Sequence, residues 1–218
     1  MAKKVFLGVG HGGNDPGAVA NGFKEKDLNL SIAKACYDEL IRHKVNVLMS
    51  RTKDENDPLS DEIKECNAYN PDLAVDIHNN AGGGDGVEAF HHYGGGTSKT
   101  LAVNILDEVV KIGQNSRGAK IKKNAQGKDY FGFIRQTKAP AVLVECAFID
   151  NKKDLQIIDT AAEQKKMGIA IAKGILKTLG INYVEEKKYT LQVSNLTKEK
   201  ADSLKKELSA KGYTVSVK

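Results

Sequence analysis

The chain has 218 residues, 40% of them apolar and 28% charged, with four prolines, no tryptophan and a formal net charge of +5. This composition belongs to a protein with a real hydrophobic core and excludes collagen-like, low-complexity and disordered chains. No apolar run approaches the ~20 residues of a membrane-spanning helix, and the three widely spaced cysteines, Cys36, Cys66 and Cys146, sit in apolar patterns, as buried thiols do, rather than in a disulfide framework or zinc knuckle. Residues 189–218 hold six lysines against three acidic residues, which suits an acidic polymer or an anionic cell wall, or equally a plain solvated face.

In chain order, MAKKVFLGVGHGG offers two lysines and too short an apolar run for a signal peptide, so synthesis in the cytoplasm is expected. Val5–Val9 is continuously apolar, as in a strand covered on both faces. A loop with Gly10, Gly12, Gly13, Gly17 and Gly22 follows. Asp27 is expected to cap a helix to about His43, with Leu28, Ile32, Cys36 and Leu40 on its inner stripe and His43 facing the helix dipole. Val45–Ser50 completes a βαβ unit. After RTKDENDP, Ser60 is expected to cap a short helix ending at Asn70-Pro71.

Asp72–His78 reads as the third strand and Val87–Tyr93 as the fourth, separated by the loop NNAGGGDG. A helix from about Ser98 to Gly113 carries Leu101, Ile105, Val109 and Ile112. Residues 115–129 are basic and turn-rich without clear period, and Tyr130–Arg135 reads as a short strand or aromatic loop. Ala141–Ala147 is the last strong strand, 151–158 a short helix, and Thr160 caps a final helix closed by Gly180. The expected fold is α/β: a twisted, mostly parallel sheet flanked by helices. Residues 1–181 form the main domain, 182–188 a linker and 189–218 a small β-α-β appendage. Its strands are Tyr189–Val193 and Tyr213–Val217, around a helix that Thr197 caps and that turns Ala201, Leu204 and Leu208 inward.

Ligands of open α/β sheets collect beyond the carboxyl ends of the strands. His11, His78 and Glu145 fall at or near such ends, and Glu25 hangs from the first loop. Two imidazoles and a carboxylate with one open position make a catalytic zinc site, and a further carboxylate can serve as its proton carrier. Taken singly, Glu25 reads equally as a surface charge or helix-dipole partner, and His78 as a loop hydrogen bonder. Glu145 within VLVEC has no bland explanation, because an unpaired carboxylate in an apolar strand is costly. Adjacent strand residues point opposite ways, so His91 and His92 read as non-ligands.

HGGNDPGA at 11–18, EKDLNL at 25–30, DIHNNA at 76–81 and PAVLVECAFIDN at 140–151 occur in that order, with SRTKDEN at 50–56. Together they resemble the zinc-dependent N-acetylmuramoyl-L-alanine amidases of the amidase-3 type, from about Lys4 to Gly180. The match departs at NGFK, residues 21–24, and is loose over 114–135. The resemblance implies about six strands with helices on both faces and one Zn2+ per chain on His11, Glu25 and His78. It makes Glu145 the catalytic carboxylate and peptidoglycan the partner, with no nucleic acid and no membrane. Asn79, Asn80 and the stretch Tyr130–Arg135, including Arg135, are expected along the peptide groove. The rival functions are a zinc peptidase cutting within the stem peptide and a non-catalytic wall-binding protein. The tail resembles half of a SPOR-type peptidoglycan-binding module, which implies wall binding. Because one helix over a two-strand ribbon is marginal by itself, two tails are expected to pair in a homodimer or the tail to dock on the catalytic domain. Without a signal peptide, the expected role is a phage endolysin reaching the wall after release, with a truncated host autolysin or sporulation enzyme as the alternative.

Overall fold

The computed structural model describes residues 2–186, 193–210, 213 and 215. Strand β1 (Lys4–Val9) opens into the glycine loop, where β2 (Val19–Ala20) and β3 (Phe23–Lys24) pair as a small antiparallel ribbon. There follow α1 (Glu25–Arg42), β4 (Asn46–Met49), α2 (Leu59–Tyr69), β5 (Leu73–Asn80), β6 (Val87–His91), α3 (Thr97–Val110), β7 (Ser116–Lys120), α4 (Gly132–Gln136), β8 (Ala141–Phe148), α5 (Lys152–Leu155), α6 (Ala161–Leu179) and α7 (Lys198–Ala210). The chain divides into two compact units, Met1–Val184 and Glu185–Lys218.

In the first unit six strands form one sheet in the order β4-β1-β5-β8-β6-β7. All pairs are parallel except β6 with β8. The sheet is therefore mixed but mostly parallel, and helices pack on both faces. Side chains alternate across a strand, and here the alternation sorts two environments. Val5, Leu7 and Val9 of β1, Leu73, Val75 and Ile77 of β5, and Val142, Val144 and Cys146 of β8 join the large core under α1, α3 and α6. On the opposite face Phe6, Ala74 and Ala141 meet Ile63, Cys66 and Phe133 from α2 and α4 in a much smaller cluster. That second cluster stops short of the strands' carboxyl ends, and the functional side chains occupy the space it leaves. No helix among the described residues is long and apolar enough to cross a membrane.

Several expected boundaries move, each for a tertiary reason. Helix α1 starts at Glu25, not after Asp27, and has no side-chain cap. Its first N–H groups are met by loop carbonyls instead, Glu25 N by Ala18 O at 2.9 Å and Lys26 N by Pro16 O at 3.2 Å. Ser60 does not cap α2; Pro58 occupies that position and its carbonyl accepts from Asp61 and Glu62. Strand β5 runs on through His78 to Asn80. Strand β7 lies in the stretch without period: it is a half-polar edge strand whose register with β6 shifts, so no alternation survives in its sequence. Residues 132–136 form helix α4 instead of a strand or loop, and five residues are too few to display a helical period. Thr160 does cap α6, accepting from Glu163 N, and Gly180 ends it in the left-handed conformation. In the second unit Ala201, Leu204 and Leu208 of α7 are the half-buried positions of that helix. The tail strands expected at Tyr189–Val193 and Tyr213–Val217 lie almost wholly outside the described residues.

Candidate metal centre

Strand β1 ends at Val9, and two residues later His11 sits at φ +63, a left-handed conformation that non-glycine residues adopt rarely. A tight two-way backbone pairing of Gly12 with Asp15 folds the loop back. This places Asp15 Oδ2 2.8 Å from His11 Nδ1, leaving Nε2 to face inward. Glu25, the first residue of α1, is 4% exposed. Its Oε2 lies 3.2 Å from His11 Nε2 and accepts from Ala18 N; its Oε1 lies 3.0 Å from His78 Nδ1 and accepts from Asn79 N and Asn29 Nδ2. The two imidazoles meet edge to face, with ring centroids 5.1 Å apart. One donor atom from each of His11, Glu25 and His78 lies within 4.8 Å of the others.

Two glycines make this approach possible. A Cβ on Gly10 would stand 2.1 Å from the His78 ring, and one on Gly17, at φ +62, would stand 2.6 Å from both Glu25 Oε2 and the His11 ring. Arg51, 2% exposed, locks the base of the loop. Its guanidinium donates to the carbonyls of Val9, Gly10 and Lys26, stapling the end of β1 to the start of α1.

The electrostatics are those of an anionic, dry nest. Burial by itself raises the Glu25 pKa, but the hydrogen bonds from both imidazoles outweigh it and hold the carboxyl far below the usual range. The same contact with Glu25 raises His11. His78 is pulled down by burial but driven well above its ordinary value by Asp76 and Glu25. Glu145 is the direct register partner of His78 on the neighbouring strand β8, so both side chains leave the same face of the sheet. Its Oε2 is sealed from solvent without a hydrogen-bond partner, and burial pushes its pKa up to about 7. His11, Glu25, His78 and Glu145 all line one cavity of about 890 Å³.

A family model described as N-acetylmuramoyl-L-alanine amidase matches residues 5–177. The chain belongs to that family. The amidase CwlM of Bacillus licheniformis is 34% identical over 219 residues, covering 98% of this chain and 84% of that protein, so the match extends into the tail. The endolysin of Bacillus phage SPP1 is 35% identical over 190 residues, 83% of this chain and 68% of that one. Among solved structures, Cwp6 from Clostridium difficile superposes with a TM-score of 0.81 at 38% identity, over 82% of this chain and 30% of that one. The catalytic domain of the amidase CwlV from Bacillus (Paenibacillus) polymyxa superposes at 0.75 with 27% identity, over 83% and 99%.

Within this amidase fold the other expected site residues take distinct places. Asn79 and Asn80 line the cavity. Asn79 is 2% exposed and donates to Asn29 Oδ1, so it braces the Glu25 nest while its own Oδ1 has no partner. Asn80 Oδ1 accepts from Ala81 N. Arg135 does not line the cavity; it is exposed and its guanidinium donates to the carbonyls of Asp129 and Tyr130. His91 and His92 stand apart from the cluster, His91 against the His92 carbonyl and His92 against Asp129. His43 closes α1, its Nδ1 donating to Glu39 O and its Nε2 accepting from Val184 N.

The structure also adds residues that the sequence reading passed over. Asp76 Oδ2 lies 3.3 Å from His78 Nε2, as Asp15 lies against His11, so each imidazole has a carboxylate behind it. Such a carboxylate fixes the tautomer and orientation of a metal-binding histidine. Behind Asp76, in turn, sits Glu62, 5% exposed. A Cβ on Gly8 would stand 2.1 Å from Glu62 Oε1 and 2.7 Å from Asp76 Oδ1, so the two carboxyl groups share the space over that glycine. Burial and the adjacent Asp76 raise Glu62 well above its ordinary value. A signal for Asp76 did exist: it is a carboxylate inside an apolar strand, like Glu145.

Proposed function

We propose that the chain hydrolyses the amide joining the lactyl group of N-acetylmuramic acid to L-alanine in peptidoglycan, using one zinc ion held by His11, Glu25 and His78. The observation that carries this reading is the convergence of two imidazoles and one buried carboxylate, each imidazole backed by a second carboxylate, beside the unpartnered Glu145. The donor set fits zinc: nitrogen and oxygen ligands, three in number, opening on a cavity. When bound, zinc supplies Lewis acidity toward the scissile carbonyl and lowers a water's pKa to roughly 7.

The remaining work belongs to this chain's own residues. Glu145, whose carboxyl faces the cluster from the neighbouring strand, takes a proton from the attacking water and returns it to the alanine nitrogen as the C–N bond breaks. Asp15 and Asp76 hold the imidazoles in the tautomers that leave the inner nitrogens free to bind metal. Asn80 presents its amide group to the peptide along the cavity wall, while Asn79 braces the Glu25 nest from behind through Asn29.

Supporting this reading, the relatives include bacterial amidases and a phage endolysin. The proposed role is wall lysis as an endolysin or autolysin, acting on the wall after release from the cytoplasm. Residues 189–218 serve as a wall-binding or dimerisation segment. Sedimentation of the full chain against residues 1–187 separates those two: a dimer that becomes a monomer supports pairing, and two monomers end it. Metal analysis combined with mass identification of the products tests the chemistry. Free amino-terminal L-alanine on the released peptides supports the amidase, whereas a cut inside the stem makes the enzyme a peptidase.

A further inference from the structure

The most basic stretch of the molecule is not the tail. Residues 115–138 carry seven lysines and arginines against one acidic residue, Asp129. Asp129 is 3% exposed and spent internally: its Oδ1 accepts from Tyr93 N at 2.9 Å, and its Oδ2 lies 3.3 Å from His92 Nε2. Arg135 clamps the same turn through the Asp129 and Tyr130 carbonyls. Backbone pairing of Lys123 with Asp129, and of Tyr130 N with Lys122 O, closes the loop. Two segments from different strands, 92–93 after β6 and 121–131 after β7, are thereby fastened into one ledge.

The surface of that ledge is aromatic and cationic. Tyr93 and Tyr130 are 48% and 51% exposed. Lys122 Nζ lies 4.1 Å from the Tyr130 ring centroid, and Lys123 Nζ lies 4.8 Å from that of Tyr93. Tyr130 meets Phe131 edge to face at 5.2 Å, and Phe131 lines the wall of the metal cavity. The ledge is thus continuous with the cleft. Among the described residues no carboxylate lies in ion-pair range of Lys122, Lys123 or Lys128, whereas Arg117 and Lys120 on β7 are both held by Glu88.

We infer that this ledge is a second binding surface for the peptidoglycan strand, taking sugar rings on the faces of Tyr130 and Tyr93 and free stem-peptide carboxylates on Lys122 and Lys123. The inference rests on the amidase reading for the identity of the polymer. An aromatic face is electron-rich, and the axial C–H groups of a sugar present the complementary positive edge. The lysines now rest on those rings in exposed cation–π contacts, which are weaker than a hydrogen bond to a carboxylate. An acidic stem therefore draws the ammonium groups off the rings and uncovers them for the glycan. A polymer held at the ledge is delivered along Phe131 to the cavity.

The test measures co-sedimentation of the full chain with purified peptidoglycan freed of phosphate-containing polymers, together with hydrolysis of sacculi and of a short soluble N-acetylmuramoyl peptide. Tyr130→Ala and the double variant Lys122→Ala/Lys123→Ala are each expected to weaken wall binding about tenfold, equivalent to ~1.4 kcal/mol. Tyr130→Phe, which keeps the ring, should bind like the parent. The loss should appear as a raised KM on sacculi, with a far smaller change on the short peptide. Equal binding and equal KM in correctly folded variants would overturn the ledge, as would binding that disappears once the phosphate polymers are stripped. Glu145→Gln separates the two readings, because it should keep ledge-dependent binding without hydrolysis. A parent that cleaves neither substrate, yet binds through Tyr130 and the lysines, would remove the amidase reading and leave the ledge.

Discussion

The two faces of the central sheet are built from the same strands and do opposite things. On the side of α1, α3 and α6, Val5, Leu7 and Val9 of β1, Leu73, Val75 and Ile77 of β5, and Val142, Val144 and Cys146 of β8 pack into one large apolar core. On the side of α2 and α4, the residues between them begin as Phe6, Ala74 and Ala141, then change toward the carboxyl ends to Gly8, Asp76, His78 and Glu145. One face supplies stability and the other gives some of it up for chemistry. Buried, incompletely paired carboxyl groups are costly, and they persist here because the opposite face anchors each strand. Mutations should separate the two faces cleanly.

The largest expected effect is on the chemical face. Glu145→Gln should retain metal and fold but lose about 10²–10⁴-fold in hydrolysis of peptidoglycan, read by dye release from sacculi alongside metal content. Near-parental activity would remove Glu145 from the mechanism. The matching change on the other face is Ile171→Ala on α6, where the side chain is fully buried in the large core. It should cost about 2–5 kcal/mol of stability, measured by urea unfolding, while the residual folded fraction keeps its kcat. If Glu145→Gln destabilised the zinc-bound protein as much as Ile171→Ala does, the division of labour between the faces would be wrong.

The apolar face was easy to read in the sequence, because Leu28, Ile32, Cys36 and Leu40, or Val5–Val9, declare themselves through hydrophobic spacing alone. The four convergent residues were legible too, from strand-end placement and from motifs in the right order. What escaped were contacts that only the folded chain creates. Asp15 lies against His11 because of a turn, Glu62 reaches Asp76 over Gly8, and Arg51 collects carbonyls from β1 and α1. Strand β7 and helix α4 were hidden because their pairing and packing, not their own period, define them. Arg135, expected along the groove with the rest of residues 130–135, instead commits its guanidinium to two backbone carbonyls, a contact that only the folded turn creates.

The buried carboxyls allow a finer comparison in pH. The Glu145 carboxyl is pushed up to about 7 from an ordinary 4.5, so between those values the metal-free native state binds a proton that the unfolded chain has released. Its contribution to stability is therefore fully present below pH 4.5 and is lost as pH rises through about 7. In chelator, Glu145→Gln should match the parent near pH 4.5 and become more stable than it by up to ~3 kcal/mol at pH 8. Taking the difference between the two proteins cancels titrations that are independent of Glu145; His78, which the Glu145 charge raises, shifts with the substitution. A difference that stays flat across this range would mean that Glu145 is better solvated than its surroundings indicate.

The smallest effects should distinguish the two carboxylates behind the imidazoles. Asp76 is 2% exposed and faces His78 in a dry site, so Asp76→Asn should lower zinc affinity by about 10–100-fold. It should not lower the melting temperature of the metal-free protein, because an asparagine ends the crowding of two carboxyl groups with Glu62. Asp15 makes the shorter contact, 2.8 Å, but its side chain is 66% exposed. Water screens that bond and replaces it when it is lost, so Asp15→Asn should weaken zinc binding only about twofold to fivefold. Competition titration with a chromophoric chelator measures both. If Asp15→Asn proved the more damaging, contact length rather than burial would govern how these carboxylates support the metal, and the dry face of the sheet would lose its claim to be the source of the site's strength.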